Sequence, residues 1–384
     1  MTNFRVVICG GGIAAVEGLL RLRRLLGDSV EIVLIAPNDE LIYRPLSVRQ
    51  PFAFGPPSRY PLRRIATDCD AEWTKDTLSW VEPDKQVVHT GDGRQVDYDA
   101  LLVAVGARQV EPYDHAGTFR DSEADAVYQG VVQDVEGGYT RSIAFILPVG
   151  PTWPLPLYEL ALMTAERAHS MSMDDLELSL VTPEIRPLAI FGQAASDAVT
   201  ELLNRAGIAV YSSALAQVPA TGQLLIQPQG IELHPDRTIA MPRVSGPAVR
   251  GLACGGAHGF VPIDKHCCVP GTNGHVFAAG DAAAFPVKHG GLGAQMADTA
   301  VDAIAALAGG SVDPEPFHPV IRGKLLTGAD PLYISARVVG AAGFESEVFD
   351  TPPWPADQKV VAEELGPYLA QLDGARSTAA PGAP

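Results

Sequence analysis

The chain has 384 residues, with 28 Lys+Arg against 45 Asp+Glu for a formal charge of −17, and 47% of it is hydrophobic. That apolar share excludes wholesale disorder, and the acidic balance excludes nucleic acid and anionic membrane surfaces, both of which select Lys and Arg. The five cysteines include no CxxC pair and no zinc spacing, so no metal site is expected and a reduced, cytoplasmic protein fits.

At about 150 residues per domain, the length suggests two or three domains. No signal-peptide core precedes the first strand, and no apolar run reaches the roughly 18 residues of a spanning helix. A transmembrane segment is therefore not expected.

The first segment alternates strand and helix. Residues 4–9 form an apolar strand, Gly10–Gly12 a tight turn, 14–26 a helix, and 30–35 a nearly all-apolar strand suited to a buried parallel sheet. This is a βαβ unit. Residues 43–66, rich in Pro, Arg and aromatics, read as an irregular excursion. Strands are expected at 78–89 and 95–107, with a hairpin at Asp92-Gly93 between them.

A second α/β unit is expected from Ser142. It has strands at 143–147, 176–181 and 208–211, helices at 157–168 and 194–206, and Gly207 as a helix cap. From His275 the first pattern returns, with a strand at 276–279, Gly280-Asp281, and an Ala-rich helix over 292–308. The last residues, 376–384, are rich in Ala, Pro, Gly and Ser and are expected to be disordered.

Gly10-Gly11-Gly12-Ile13-Ala14-Ala15 fits G-x-G-x-x-A between a strand and a helix. Gly10 permits the sharp turn, Gly12 leaves room for a pyrophosphate against the backbone, and Ala15 allows close helix–strand packing. The helix N-terminus adds free N–H groups and partial positive charge. A structural glycine turn is the bland alternative, weakened by this strand–turn–helix context. The second strand carries no acid at its tip to hold a ribose; Asp39 and Glu40 lie just past it.

Two further segments complete a pattern. Asp97-Tyr98-Asp99-Ala100-Leu101-Leu102-Val103-Ala104-Val105-Gly106-Ala107 resembles the YDxLVxAxGA segment of two-dinucleotide flavoproteins, and Gly274–Ala283 resembles their late hhxxGD segment. In this order the three segments resemble the pyridine nucleotide–disulfide oxidoreductase superfamily. Leu41-Ile42-Tyr43-Arg44-Pro45-Leu46 and Lys288-His289-Gly290-Gly291-Leu292-Gly293-Ala294-Gln295 look most like its sulfide:quinone oxidoreductase and type II NADH dehydrogenase branch.

The resemblance implies an α/β fold of two Rossmann-like three-layer domains, the FAD domain being discontinuous. Segments 1–112 and 259–335 would form the FAD domain around a degenerate NAD(P)-binding-like domain at 113–258, with a C-terminal extension at 336–375. It implies FAD as cofactor, with Asp281 accepting a hydrogen bond from the ribityl chain. The expected cofactor contacts are Gly10, Gly11, Gly12, Ile13, Ala14, Ala15, Ala36, Arg44, Pro45, Thr77, Leu78, Ala104, Val105, Gly106, Gly280, Asp281, Lys288, Gly290, Gly291 and Leu292. The residues themselves also support a flavin at Gly290-Gly291. These glycines admit a flat ring, and the helix beginning nearby aims its positive end at the charge a reduced flavin carries. An ordinary capped helix is the alternative. Lys288 and His289 are the expected catalytic candidates, His289 as an acid/base by its proximity alone.

The second nucleotide site departs from the family pattern. After the strand at 143–147 the chain reads Pro148-Val149-Gly150-Pro151-Thr152-Trp153-Pro154-Leu155-Pro156. Proline offers no N–H to a phosphate and fills the space glycine leaves, so NAD(P)H binding in the usual way is not expected. The family's redox cysteines are missing too, since none lies between Cys69 and Cys254. The adjacent Cys267-Cys268 are expected to be unpaired thiols, with a strained redox pair beside His266 as the sharper alternative. Cys254 is expected to be a buried small residue. Trp153 and Tyr158 are candidates to line a pocket over the flavin, with packing the commoner role for such residues, and Glu159 is a pocket acid or a first-turn charge.

An apolar stripe at Val360, Val361, Leu365, Tyr368, Leu369 and Leu372 is interrupted by Gly366-Pro367 and surrounded by acids. It is expected to pack on its own domain or a partner subunit rather than a bilayer. The function expected is electron transfer from a small-molecule donor through FAD to an acceptor such as a quinone. An NAD(P)H dehydrogenase with an altered loop and a flavin-binding sensor without turnover are the alternatives. A homodimer is one open choice of assembly.

Overall fold

The computed structural model describes residues 4–120, 124–173, 175–255, 258–339, 343–355 and 358–379. Two five-stranded parallel sheets organise it. In the first the strand order is Val276–Ala278, Ala100–Val103, Phe4–Cys9, Val30–Ala36, Glu72–Lys75. The apolar runs of the other four strands are largely buried on both faces, as a parallel sheet requires, whereas the edge strand Glu72–Lys75 is mostly polar and partly exposed. Helix α1 (Ile13–Leu26) packs here, so the sheet recruits a strand from more than 170 residues further along the chain. The domain built on the first sheet is discontinuous in sequence, as expected.

Residues 43–66 hold a 3-10 stretch, Arg44–Phe52, and a short helix α2 (Leu62–Asp68). The second sheet runs Gly117–Thr118, Arg237–Ala240, Ser142–Ile146, Glu177–Val181, Ala209–Tyr211, all parallel. Helices α3 (Ala124–Glu136), α4 (Leu155–Ser170) and α5 (Gly192–Arg205) accompany it around a separate core.

Helix α6 (Gly290–Leu307) packs along α1, where Gly18 brings the α1 backbone against Val301 and Ala297. It begins two residues before the expected start, so Gly290 and Gly291 form its first turn. Helix α7 (Leu365–Ala379) closes the chain. Gly366-Pro367 do not interrupt it, because they fall in its first turn, where proline is tolerated. Its last residues, 376–379, continue the helix where disorder was expected; 380–384 lie outside the described residues. Val360, Leu365 and Leu369 are buried in the first core, with Tyr368 and Leu372 packed against it.

Three antiparallel sheets were not read correctly from the sequence. The expected strand 78–89 breaks into Leu78–Glu82 and Val87–Thr90, because Pro83 starts a 3-10 turn between them. Asp92-Gly93 does turn the chain, into Gln95–Asp97. The expected strand 95–107 then divides at Tyr98-Asp99, where Asp99 Oδ2 accepts the Arg5 backbone N–H at 2.7 Å and hands the chain to the parallel sheet. A second meander spans Leu215–Ala220, Gln223–Gln227 and Ile231–Leu233.

The third meander spans Val320–Leu325, Leu332–Val339 and Gly343–Phe349, so a boundary at 335/336 would cut its middle strand. Its buried face, Ile321, Leu325 and Ile334, belongs to the core under the second sheet. No helix among the described residues is long and apolar enough to cross a membrane.

Candidate active site

A cleft of about 720 Å³ opens at the C-terminal ends of the first sheet. Phe4–Cys9 has Val30–Ala36 on one side and Ala100–Val103 on the other, so consecutive connections leave it in opposite directions and a crevice forms at its end. Two glycines of the turn there have different jobs. Gly10 has φ +135°, and a Cβ on it would stand 2.1 Å from the Ala104 carbonyl oxygen. A Cβ on Gly12 would meet nothing within 4 Å. Gly10 thus makes the fold possible, and Gly12 keeps an open space in front of the α1 N-terminus.

Of the expected contacts, Gly10, Gly11, Gly12, Ile13, Ala14, Arg44, Pro45, Thr77, Leu78, Ala104, Val105, Gly106, Gly280, Asp281, Lys288 and Gly290 line this cleft. Ala15, Ala36, Gly291 and Leu292 do not. Ala15 and Ala36 are fully buried in the first core, and Leu292 turns into the second. Gly293, unremarked in the sequence, takes the place of Gly291. A Cβ on it would stand 3.1 Å from the Gly280 Cα, so its smallness lets the α6 N-terminus reach the cleft floor. Of the two acids past the second strand, Asp39 pairs with Lys75 at 2.5 Å, and Glu40 lines the cleft and pairs with Arg59 at 3.3 Å.

The electrostatics are set by burial. Asp281 lies well inside, and desolvation pushes its carboxyl above the usual range, opposed by the Lys288 charge. Lys288 is buried, donates to the Ala283 carbonyl at 2.5 Å and holds its ammonium 3.6 Å from the Phe260 ring centre. Desolvation pulls it down to about 8, again opposed by Asp281. His289 caps α6 and lies against Trp153, ring centres 4.5 Å apart. Burial, reinforced by the charges of Lys359 and Arg322, pulls His289 down to about 4, so its imidazole is neutral at pH 7. Its Nδ1 is buried without a hydrogen-bond partner among the described residues.

Several residues sit elsewhere than expected. Tyr158 does not line the cleft. Its place on α4 turns it under the second sheet, where its hydroxyl donates to Glu184 at 2.5 Å. Thr182 donates to the same carboxylate oxygen at 3.0 Å. Glu184 stands past the tip of Glu177–Val181, where a dinucleotide's ribose would need an acceptor, and its capacity is spent within the protein. A smaller cavity of about 300 Å³ lies here, walled by Pro148, Val149, Pro154 and Glu184. Glu159 is a buried partner rather than a pocket acid: it pairs with Lys359 at 2.7 Å, with side-chain exposures of 0% and 7%.

All five cysteines are free, and none lines the cleft. Burial pushes the Cys267 thiol up to about 12 and raises Cys268 as well. Cys254 is exposed rather than buried. Among the described residues no cluster of His, Cys, Asp and Glu suits a metal.

Sequence reasoning missed Arg322 and Lys359, both of which line the cleft. Arg322 had only a weak local signal, the Ile321-Arg322-Gly323-Lys324-Leu325 run that places Arg and Lys two residues apart between apolar ends, and the structure buries Ile321, Gly323 and Leu325 on the opposite face. Lys359 had none, because its partner is 200 residues away.

No family model matches the chain. Among curated proteins it is 30% identical over 105 residues to the mitochondrial sulfide:quinone oxidoreductase of Dictyostelium discoideum, covering 27% of this chain and 23% of that protein. It is also 30% identical over 118 residues to apoptosis-inducing factor 1 of Saccharomyces cerevisiae, covering 30% of each. The matches thus span less than a third of these relatives.

Among solved structures, a sulfide:quinone oxidoreductase from the hyperthermophilic bacterium Aquifex aeolicus superposes with TM-score 0.77 at 17% identity, over 90% of this chain and 87% of that one. The ferredoxin reductase of the CYP199A2 system of Rhodopseudomonas palustris gives 0.66 at 18%, over 90% and 88%. An NAD-dependent persulfide reductase from A. fulgidus gives 0.64 at 16%, over 88% and 64%.

Proposed function

We propose that this chain, which carries the fold of the pyridine nucleotide–disulfide oxidoreductase superfamily, is an FAD-dependent oxidoreductase taking electrons from a small reductant to an acceptor such as a quinone, without a cysteine relay. The observation that carries this reading is the convergence in one cleft of the Gly10–Gly12 turn, Gly280-Asp281 and the α6 N-terminus. The residues fit the cofactor. The open space at Gly12 and the α1 N-terminus suit a pyrophosphate. Glu40, whose Oε2 already accepts from Arg59, keeps a second oxygen for a ribose, and Asp281 offers an acceptor for the ribityl chain. When bound, FAD supplies two-electron chemistry between donor and acceptor.

The chain's own residues do the rest. The α6 N-terminus and Lys288 place positive potential over the floor of the cleft, and Lys288 holds Asp281 by charge. Trp153 and Val360 help wall the cleft against water. His289, neutral at pH 7, can accept or donate one proton at the cleft wall. The high thiol pKa of Cys267 supports a route that bypasses the cysteines, because the thiolate is the reactive form. The proline loop and the engaged Glu184 support a donor other than NAD(P)H.

The test is one anaerobic spectrum and three titrations. Purified protein should carry, or take up, a flavin absorbing near about 450 nm. Sulfide, NADH and NADPH are then added separately. A protein that neither holds nor takes up FAD overturns the assignment, and bleaching by low NADH overturns the reading of the second site.

A further inference from the structure

One wall of the cleft carries a guanidinium that makes no ion pair among the described residues. Gln295 of α6 is bonded on both sides to Val320: its Nε2 donates to the Val320 carbonyl at 2.9 Å, and its Oε1 accepts the Val320 N–H at 2.9 Å. The same Nε2 donates to the Gly291 carbonyl at 3.0 Å. One side chain therefore fastens the strand Val320–Leu325 to the first turn of α6. The strand buries Ile321 and Leu325 in the second core, which leaves Arg322 on the opposite face, lining the cleft.

Arg322 is half-buried and makes no ion pair among the described residues. Burial, and Arg337 on the paired strand, pull it below the usual guanidinium range, opposed by the charge of Glu363. A guanidinium does not lose its proton at any working pH, so this charge stays. Its charge reaches His289 at the start of α6, whose Nδ1 has no hydrogen-bond partner among the described residues and whose ring lies 4.5 Å from that of Trp153 on the same cleft. Lys359 is near but neutralised by Glu159.

We propose that Arg322, His289 and Trp153 form the donor subsite of the cleft and that it takes a small anion. The assignment deepens the oxidoreductase reading and rests on it. Arg322 supplies the fixed charge and a planar fork of donors. His289 is kept neutral by burial and then by the nearby cations, so it offers a hydrogen-bonding nitrogen without adding a charge. Trp153 closes the subsite on its apolar side. A neutral donor would leave the guanidinium desolvated and unpaired, which the site selects against.

The probe is thiocyanate, an inert monoanion, titrated into the flavin-loaded protein. Two signals are followed: the flavin absorption band and the tryptophan fluorescence that is missing in Trp153→Phe. Both should change saturably and together. Affinity should fall roughly tenfold to a hundredfold in Arg322→Gln, as expected for a charged hydrogen-bond partner lost from a partly buried site, and by much less in Arg322→Lys. Arg337→Gln, on the neighbouring strand, should bind nearly as wild type.

A response that is unsaturable, or equal in wild type and Arg322→Gln, overturns the subsite. If FAD affinity falls in Arg322→Gln by the same factor as thiocyanate affinity, Arg322 serves the cofactor and the inference fails. If no flavin binds at all, the oxidoreductase reading fails, while the Trp153 signal still reports separately on the anion. Circular dichroism identifies a misfolded variant, and Arg322→Lys then carries the comparison.

Discussion

The Glu159–Lys359 pair is the contact whose removal should be felt most sharply. It joins α4, just past the proline loop, to the segment before α7, and both side chains are almost wholly dry. Glu159 Oε1 also accepts the Leu326 N–H at 3.0 Å, so the carboxylate organises the turn that ends Val320–Leu325. Replacing Lys359 by Met keeps the volume but strands a buried carboxylate. Breaking one side of such a pair costs about 3–5 kcal/mol. Glu159→Gln keeps an acceptor for Leu326 but strands the ammonium, and should cost a similar amount. In the double variant neither charge remains, and most of the loss should be recovered, leaving a coupling of several kcal/mol. Hydrogen exchange at the Leu326 amide reads this locally, which avoids assuming that a chain with two cores unfolds in one step. Protection there should drop about a hundredfold or more in each single variant and return in the double. Single variants that each cost under about 1 kcal/mol, or a double variant equal to their sum, would refute the argument, because the pair would then behave as a screened surface contact.

Further outcomes concern the glycine turn and His289. Gly10→Ala should fail to fold or melt far below wild type, because its Cβ meets the Ala104 carbonyl. Gly12→Ala should melt like wild type as apoprotein yet bind FAD roughly tenfold or more weakly by titration; unchanged affinity would mean that the open space does not receive the phosphates. His289 should titrate near about 4 by NMR and rise in Lys359→Met, which removes one of the cations depressing it. Its folded pKa lies below the unfolded value of about 6.5, so its contribution to stability is full above that pH and is lost as pH falls toward 4. His289→Gln should flatten this part of the acid limb, and an unchanged limb counts against a buried neutral imidazole.

Much of the fold was legible because parallel sheets announce themselves locally. Apolar runs with a glycine turn and a helix behind them can be read within about 30 residues. The same locality made Gly10–Ala14, Gly280-Asp281 and Lys288–Gly290 readable as one site. The failures share a cause. Tyr158 and Glu159 are adjacent on α4 and look alike as pocket candidates, yet one serves Glu184 across the second sheet and the other Lys359. Which way a helical residue faces depends on what packs there, and those partners lie in segments without a motif.

The antiparallel meander at 320–349 is the largest such segment. Its alternation marks Arg322 and Lys324 as one face of a strand, but no local pattern says what that face looks onto. The answer comes from Gln295, 25 residues earlier, whose hydrogen bonds to Val320 set the strand against α6. Gln295 was visible as the last residue of the Lys288–Gln295 stretch, where it resembled a family position near the flavin. Its contacts assign it a different task, since it spends its amide on backbone groups and thereby aims Arg322. If Arg322 binds the anion as proposed, Gln295, which does not line the cleft, holds the strand that carries it, and Gln295→Ala should weaken thiocyanate binding although Arg322 is unchanged in sequence.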